Sequence, residues 1–153
     1  MNQTKIKILE VFREFKTPVD GILNPQSLNS RIMKWDVKSQ DESKNAIEEL
    51  MKDEYIGMND RFLTLTQKGF DFLNQDYDIE DTETIVLDML RKRKLRVGNV
   101  IMPNWLTAEQ QNLERIHFEN FNQAINNVLQ KEYIEEKPNG LFLTQKGYDK
   151  IYE

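Results

Sequence analysis

The sequence predicts an α+β fold, mostly helical, in which one small domain occurs twice in tandem. Two observations carry that prediction. The pentapeptide Leu65-Thr66-Gln67-Lys68-Gly69 returns unchanged as Leu143-Thr144-Gln145-Lys146-Gly147, 78 residues further on, and the apolar positions around each copy recur in the same order at the same shift. A composition of 39% hydrophobic and 31% charged residues, with only six Gly and four Pro, belongs to a helix-rich globular chain. The implied domains are residues 1–77 and 78–153. Units of about 75 residues lie near the lower size limit for a self-supporting core, so packing between the copies is expected.

The first helix is expected over residues 3–16, where Ile8, Leu9, Phe12 and Phe15 recur at helical spacing. Val86, Leu87, Met89 and Leu90 repeat that pattern. Pro18 and Gly21 interrupt it, and Val19, Ile22 and Leu23 suit a short strand, matched by Val97, Val100 and Ile101. Asn24-Pro25 reads as an N-cap followed by Pro at the first helical position, opening a second helix that carries Leu28, Ile32 and Trp35. In the second copy Pro103 and Leu106 hold the equivalent places, while Thr107 and Gln110 form a competing capping box that would start the helix later. Ser39 with Glu42 forms a further capping box, predicted to start the third helix. Its inward face is Ala46, Ile47, Leu50 and Met51, repeated as Ala124, Ile125, Val128 and Leu129.

A hairpin follows in each copy. Tyr55-Ile56 and Phe62 to Leu65 flank a turn at Asn59-Asp60, and Tyr133-Ile134 and Leu141 to Leu143 flank one at Pro138-Asn139-Gly140, where Asn and Gly both tolerate positive φ. Thr66 and Thr144 are predicted N-caps of a short fourth helix, with Gly69 and Gly147 at N3. The stretch from Asp76 to Glu83 lacks Gly and Pro and is too short for a flexible tether. Asp81 or Thr82 is expected to cap the next helix, whose macrodipole the acidic groups suit. These carboxylates lack the DxDxDG pattern of a calcium loop.

Each copy therefore reads helix, strand, helix, helix, hairpin wing, short helix. From Ala46 through Leu73, the apolar third helix, Tyr-Ile strand, wing and Leu-Thr-x-x-Gly resemble the C-terminal part of bacterial winged-helix transcriptional regulators, and Ala124 through Ile151 repeats them. The resemblance implies two tandem winged-helix domains. It extends over both copies in order of elements.

Composition limits the function. The chain has no Cys and a single His, His117, which excludes a disulfide framework and thiolate metal sites. Neither a Gly-rich phosphate loop nor a GxSxG elbow occurs, so no enzyme, cofactor or metal site is expected, and His117 reads as a surface or turn residue. The lack of an apolar leader or membrane-spanning run suggests a cytoplasmic protein. Net charge is −5, with 11 Lys/Arg against 14 Asp/Glu in residues 1–78 and 10 against 12 in residues 79–153. Any nucleic-acid site must then be a local patch.

In helix-turn-helix proteins the second helix of the motif enters the major groove, which here is the third helix of each copy. A helical wheel turns Asp41, Asn45, Glu48, Glu49 and Lys52 outward in copy one. Those carboxylates would repel phosphate. In copy two it turns out Glu119, Gln123, Asn126, Asn127 and Gln130, and Asn and Gln can bond adenine N6 and N7 in bidentate fashion. Copy two is thus the expected base reader. Candidate phosphate contacts are Arg61 and Lys68 at wing one, Lys137 and Lys146 at wing two, and Arg115 between the second and third helices. The basic run Arg91, Lys92, Arg93, Lys94, Arg96 is explained by the C-terminal dipole of a helix.

Phe12, Phe15, Trp35, Phe62, Phe70 and Phe72 have core-like spacing. Trp105 and Phe121 replace Ser27 and Ser43 of copy one and are expected to pack between copies or against a partner. The leading functional expectation is a transcription-regulator-like protein binding double-stranded DNA. The alternative is a tandem winged-helix scaffold binding protein partners, with a second copy of the chain as a further candidate partner.

Overall fold

The computed structural model describes all 153 residues, which divide into the units Met1–Gln75 and Asp76–Glu153. The fold is α+β, with eight helices and two three-stranded antiparallel sheets.

In the first unit α1 (Gln3–Glu14) begins where the Asn2 side chain accepts from the Lys5 N–H, and it buries Ile8, Leu9, Val11 and Phe12. Strand β1 (Ile22–Leu23) leads to α2 (Pro25–Ile32), which Asn24 caps by accepting from Gln26. Helix α3 (Val37–Lys52) starts earlier than the Ser39/Glu42 capping box suggests. Its cap is Asp36, whose carboxylate accepts from the backbone and the hydroxyl of Ser39, while Glu42 accepts instead from Thr4 of α1. Trp35, expected in α2, lies in the α2–α3 turn, and Phe15 is exposed beneath the Arg31 guanidinium rather than buried.

Strands β2 (Ile56–Asn59) and β3 (Phe62–Leu65) pair with Asn59 opposite Phe62, so the turn is Asp60-Arg61, one residue beyond the expected place. Asp60 takes the positive φ of 59°. Strand β3 lies between β1 and β2, and α4 (Gln67–Leu73) closes the unit.

The second unit repeats this order. Helix α5 (Ile79–Lys92) is capped by Asp78, with Asp81 at N3 completing a capping box, rather than by Asp81 or Thr82. Thr82 is buried. Strand β4 (Val100–Ile101) precedes α6 (Pro103–Gln111), which begins at Pro103. Thr107 spends its hydroxyl on the Pro103 carbonyl, so the later start does not form. Helix α7 (Arg115–Gln130) runs into β5 (Ile134–Lys137) and β6 (Gly140–Leu143), joined through Pro138-Asn139, and α8 (Gln145–Ile151) follows. Only Gly140 of the expected Asn-Gly pair takes positive φ. The core joins Val86, Met89 and Leu90 of α5 to Phe121, Ala124 and Val128 of α7, with Ile101, Ile134, Leu143 and Ile151. Burying each large apolar side chain contributes about 1.5–3 kcal/mol. Phe121 belongs to this core and Trp105 packs against it, so both are accounted for within their own unit.

The repeated pentapeptide ties the end of the third helix to the hairpin. Thr66 Oγ1 accepts from the Gly69 N–H and donates toward the Glu54 and Tyr55 carbonyls; Thr144 does the same with Gly147, Glu132 and Tyr133. A Cβ on either glycine would collide with the Tyr55 or Tyr133 carbonyl oxygen and stand 2.8 Å from Leu65 or Leu143. Close backbone approach, rather than turn geometry, demands glycine here.

Candidate nucleic-acid interface

Helix α7 is held by its buried stripe against α5, which leaves Glu119, Asn122, Gln123, Asn126 and Gln130 exposed. Glu119 accepts from Arg115 Nε at 2.9 Å, one helical turn away, which compensates the face's single carboxylate. Arg115 stands at the first position of α7, not in the turn before it, with its guanidinium over the Phe118 ring. Gln123 Nε2 donates to Asn127 Oδ1 at 2.9 Å.

Asn127 departs from the outward arrangement. It is half-buried and donates to Glu83 Oε2 at 3.2 Å, while Lys131 Nζ meets Glu83 Oε1 at 2.5 Å. Glu83 is only 5% exposed, so the amide and the ammonium satisfy a carboxylate that burial would otherwise penalise. Its hydrogen bond to Glu83 raises the Lys131 pKa. Asn127 is therefore committed to α5. Asn122, absent from the wheel assignment, takes its place on the exposed face; it lies one helical turn before Asn126, a spacing from which it could have been found.

In the first unit the same location carries the opposite polarity. Lys5 of α1 meets Glu49 of α3 at 2.5 Å, and these positions correspond to Glu83 and Asn127. Each partner raises or lowers the other's pKa toward the charged state, chiefly through that hydrogen bond. Glu49 is thus half-buried and paired rather than outward. Met33 (77%) in the α2–α3 turn and Val37 (71%) at the start of α3 are exposed, and Gln40 Nε2 ties down the turn by donating to the Met33 and Trp35 carbonyls.

The expected phosphate contacts are dispersed. Arg61 is exposed at its turn. Lys68 donates to the Asp53 carbonyl at 2.7 Å and lies over Tyr55, closing the end of α3. Lys137 pairs with Glu135 at 3.3 Å. Lys146 shares a groove with Glu132, Glu135 and Glu136, so the second hairpin is acidic around its lysines. The structure brings Arg115, Gln123, Asn126 and Gln130 together on α7 and leaves Arg61 and Lys68 on the other unit.

His117 is not a surface residue. It lies in the first turn of α7, half-buried, with Nδ1 2.8 Å from Thr82 Oγ1, which in turn meets Tyr77 Oη at 2.7 Å. Burial lowers its pKa, against the carboxylates of Glu114 and Asp81, which raise it. No helix is long and apolar enough to cross a membrane. Comparison with protein families, with curated proteins and with solved structures finds no match to this chain.

Proposed function

We propose that each unit is a winged helix and that the second binds double-stranded DNA, with α7 in the major groove, as a transcription regulator does. The observation that carries this reading is the amide surface of α7: Asn122, Gln123, Asn126 and Gln130 are exposed, and the one carboxylate among them is paired with Arg115. Amides offer donor and acceptor together, the combination that adenine presents in the major groove, and each bidentate pair provides about 1–3 kcal/mol of discrimination. Lys137 supplies a backbone contact by exchanging Glu135 for phosphate, and Arg115 reaches phosphate with its remaining guanidinium donors while its Nε keeps Glu119. Selection from random duplexes tests the role of the amides. Gln123→Ala with Asn126→Ala is expected to flatten sequence preference while retaining most of the affinity; a uniform loss, or none, rules these amides out as base readers.

The first unit favours the scaffold alternative for its own surface. Met33 and Val37 are exposed where α3 begins, with Asp41 one helical turn from Val37 and the Met33 carbonyl held by Gln40. That combination suits a protein partner better than a polyanion.

A further inference from the structure

The basic run after α5 is only partly accounted for by the helix end. Arg91 and Lys92 lie in the last turn and Arg93 follows as the C-cap, with Arg91 paired to Asp88 and Arg93 lying over Trp105 near Glu109. Lys94 and Arg96 lie beyond the helix, where its dipole has faded. They form no ion pair. Instead they line a cleft of about 530 Å³ with Val97, Gln145, Tyr148 and Tyr152, and no carboxylate is among its walls. Gln145 donates to Asp149 Oδ1, one turn further along α8.

The cleft is preformed. Arg96 N–H donates to Asn99 Oδ1 at 2.8 Å, Asn99 N–H returns to the Arg96 carbonyl at 3.0 Å, and Gly98 N–H donates to the Leu143 carbonyl at 2.9 Å. These bonds fix the loop that bears the cations. Opposite them, the Tyr148 and Tyr152 rings stand 4.8 Å apart, and Tyr152 is anchored by its hydroxyl to the Leu95 carbonyl at 2.8 Å. Both rings remain substantially exposed. The first unit has no equivalent: Phe70, in the place of Tyr148, is buried, and Pro18 replaces Arg96.

We infer that this cleft binds a base and its phosphate, with the base stacked on the exposed tyrosines and the phosphate between Lys94 and Arg96. Aromatic faces beside a strip of unpaired cations are the combination that holds single-stranded nucleic acid, and a volume of this size accommodates one nucleotide. The same chemistry is offered by a strand and by a free nucleotide. The site is separate from the amide face of α7 and does not depend on it.

Fluorescence anisotropy of a labelled oligothymidylate at low salt tests this on the full chain. Lys94→Glu with Arg96→Glu is expected to weaken binding at least about tenfold, and Tyr148→Ala to weaken it several-fold while Tyr148→Phe retains it. Competition with thymidine monophosphate sorts the source: displacement at comparable concentration assigns a free nucleotide, and displacement by oligonucleotide alone assigns a strand. Undetectable oligothymidylate binding with no monophosphate binding overturns the inference, as does unchanged affinity in the charge-reversed variant. Equal binding of polyglutamate with indifference to Tyr148→Ala also overturns it, since the cleft would then be a general anion patch. Duplex selection with the two charge reversals in place separates this site from α7, because loss of the cleft leaves duplex reading through Gln123 and Asn126 as it was.

Discussion

At the residue scale, the single histidine sets a pH dependence that carboxylates do not blur. Burial holds the His117 pKa below its ordinary 6.5, so the folded chain binds fewer protons than the unfolded one between those two values. Stability of the second unit is therefore expected to fall as pH drops through about 6.5 and to level off below the folded pKa. Urea midpoints at pH 7.5 and 5.5 measure this, and His117→Gln should abolish most of the difference. An unchanged slope would show that His117 does not titrate between the states. Gly147→Ala is a second residue-scale case: alanine gains about 1 kcal/mol of helix propensity, but its Cβ meets the Tyr133 carbonyl. A net loss of about 2 kcal/mol is expected from overpacking against backbone, read as a lower urea midpoint. Thr144 and Gly147 were legible because an N-cap and its N3 residue are neighbours in sequence. The surroundings of His117 were not, since Tyr77 and Thr82 reach it across about 35–40 residues of chain that only the fold brings together.

At the scale of elements, the two units fasten their first helix to their third with opposite charges. Lys5 on α1 meets Glu49 on α3, whereas Glu83 on α5 meets Asn127 and Lys131 on α7. Replacing α5 by the α1 sequence would set Lys5 against Lys131, so that chimera is expected to be less stable than the parent, and adding Lys131→Asp should restore part of the loss. Restoration by Lys131→Ala to the same extent would show that the pairing carries no charge preference. Helix order and inward faces were legible from 3.6-residue periodicity, whereas the start of α6 was open between Pro103 and the Thr107 capping box until the structure placed it at Pro103. The starts of α3 and α5 were misplaced because several capping-competent residues adjoin: Ser39 and Glu42 matched the motif, but Asp36 takes the cap and leaves Glu42 to Thr4. Likewise, Asn127 satisfies the wheel for an outward residue, yet the demand of a buried carboxylate on α5 turns it inward.

At the scale of the whole molecule, duplication was legible from the repeated pentapeptide and the amide face of α7 from its helical wheel, whereas the apolar turn of the first unit and the cationic cleft of the second were not. The pentapeptide itself is structural in both units, fastening hairpin to helix, and so says nothing of function. What differs lies between the repeats: an amide face on α7 against a face with an apolar turn on α3, and a cationic cleft beside α8 where the first unit has a buried Phe70 and Pro18. The acidic balance of the chain means that the proposed DNA binding by α7 must overcome a repulsive mean field, and it should be strongly salt-dependent. The most direct test is anisotropy of labelled duplex DNA titrated with the full chain at several salt concentrations. Binding at low salt is expected, weakening log-linearly with a slope of about 0.9 for each phosphate engaged, and reduced by Arg115→Ala. No binding to duplex at low salt would contradict it.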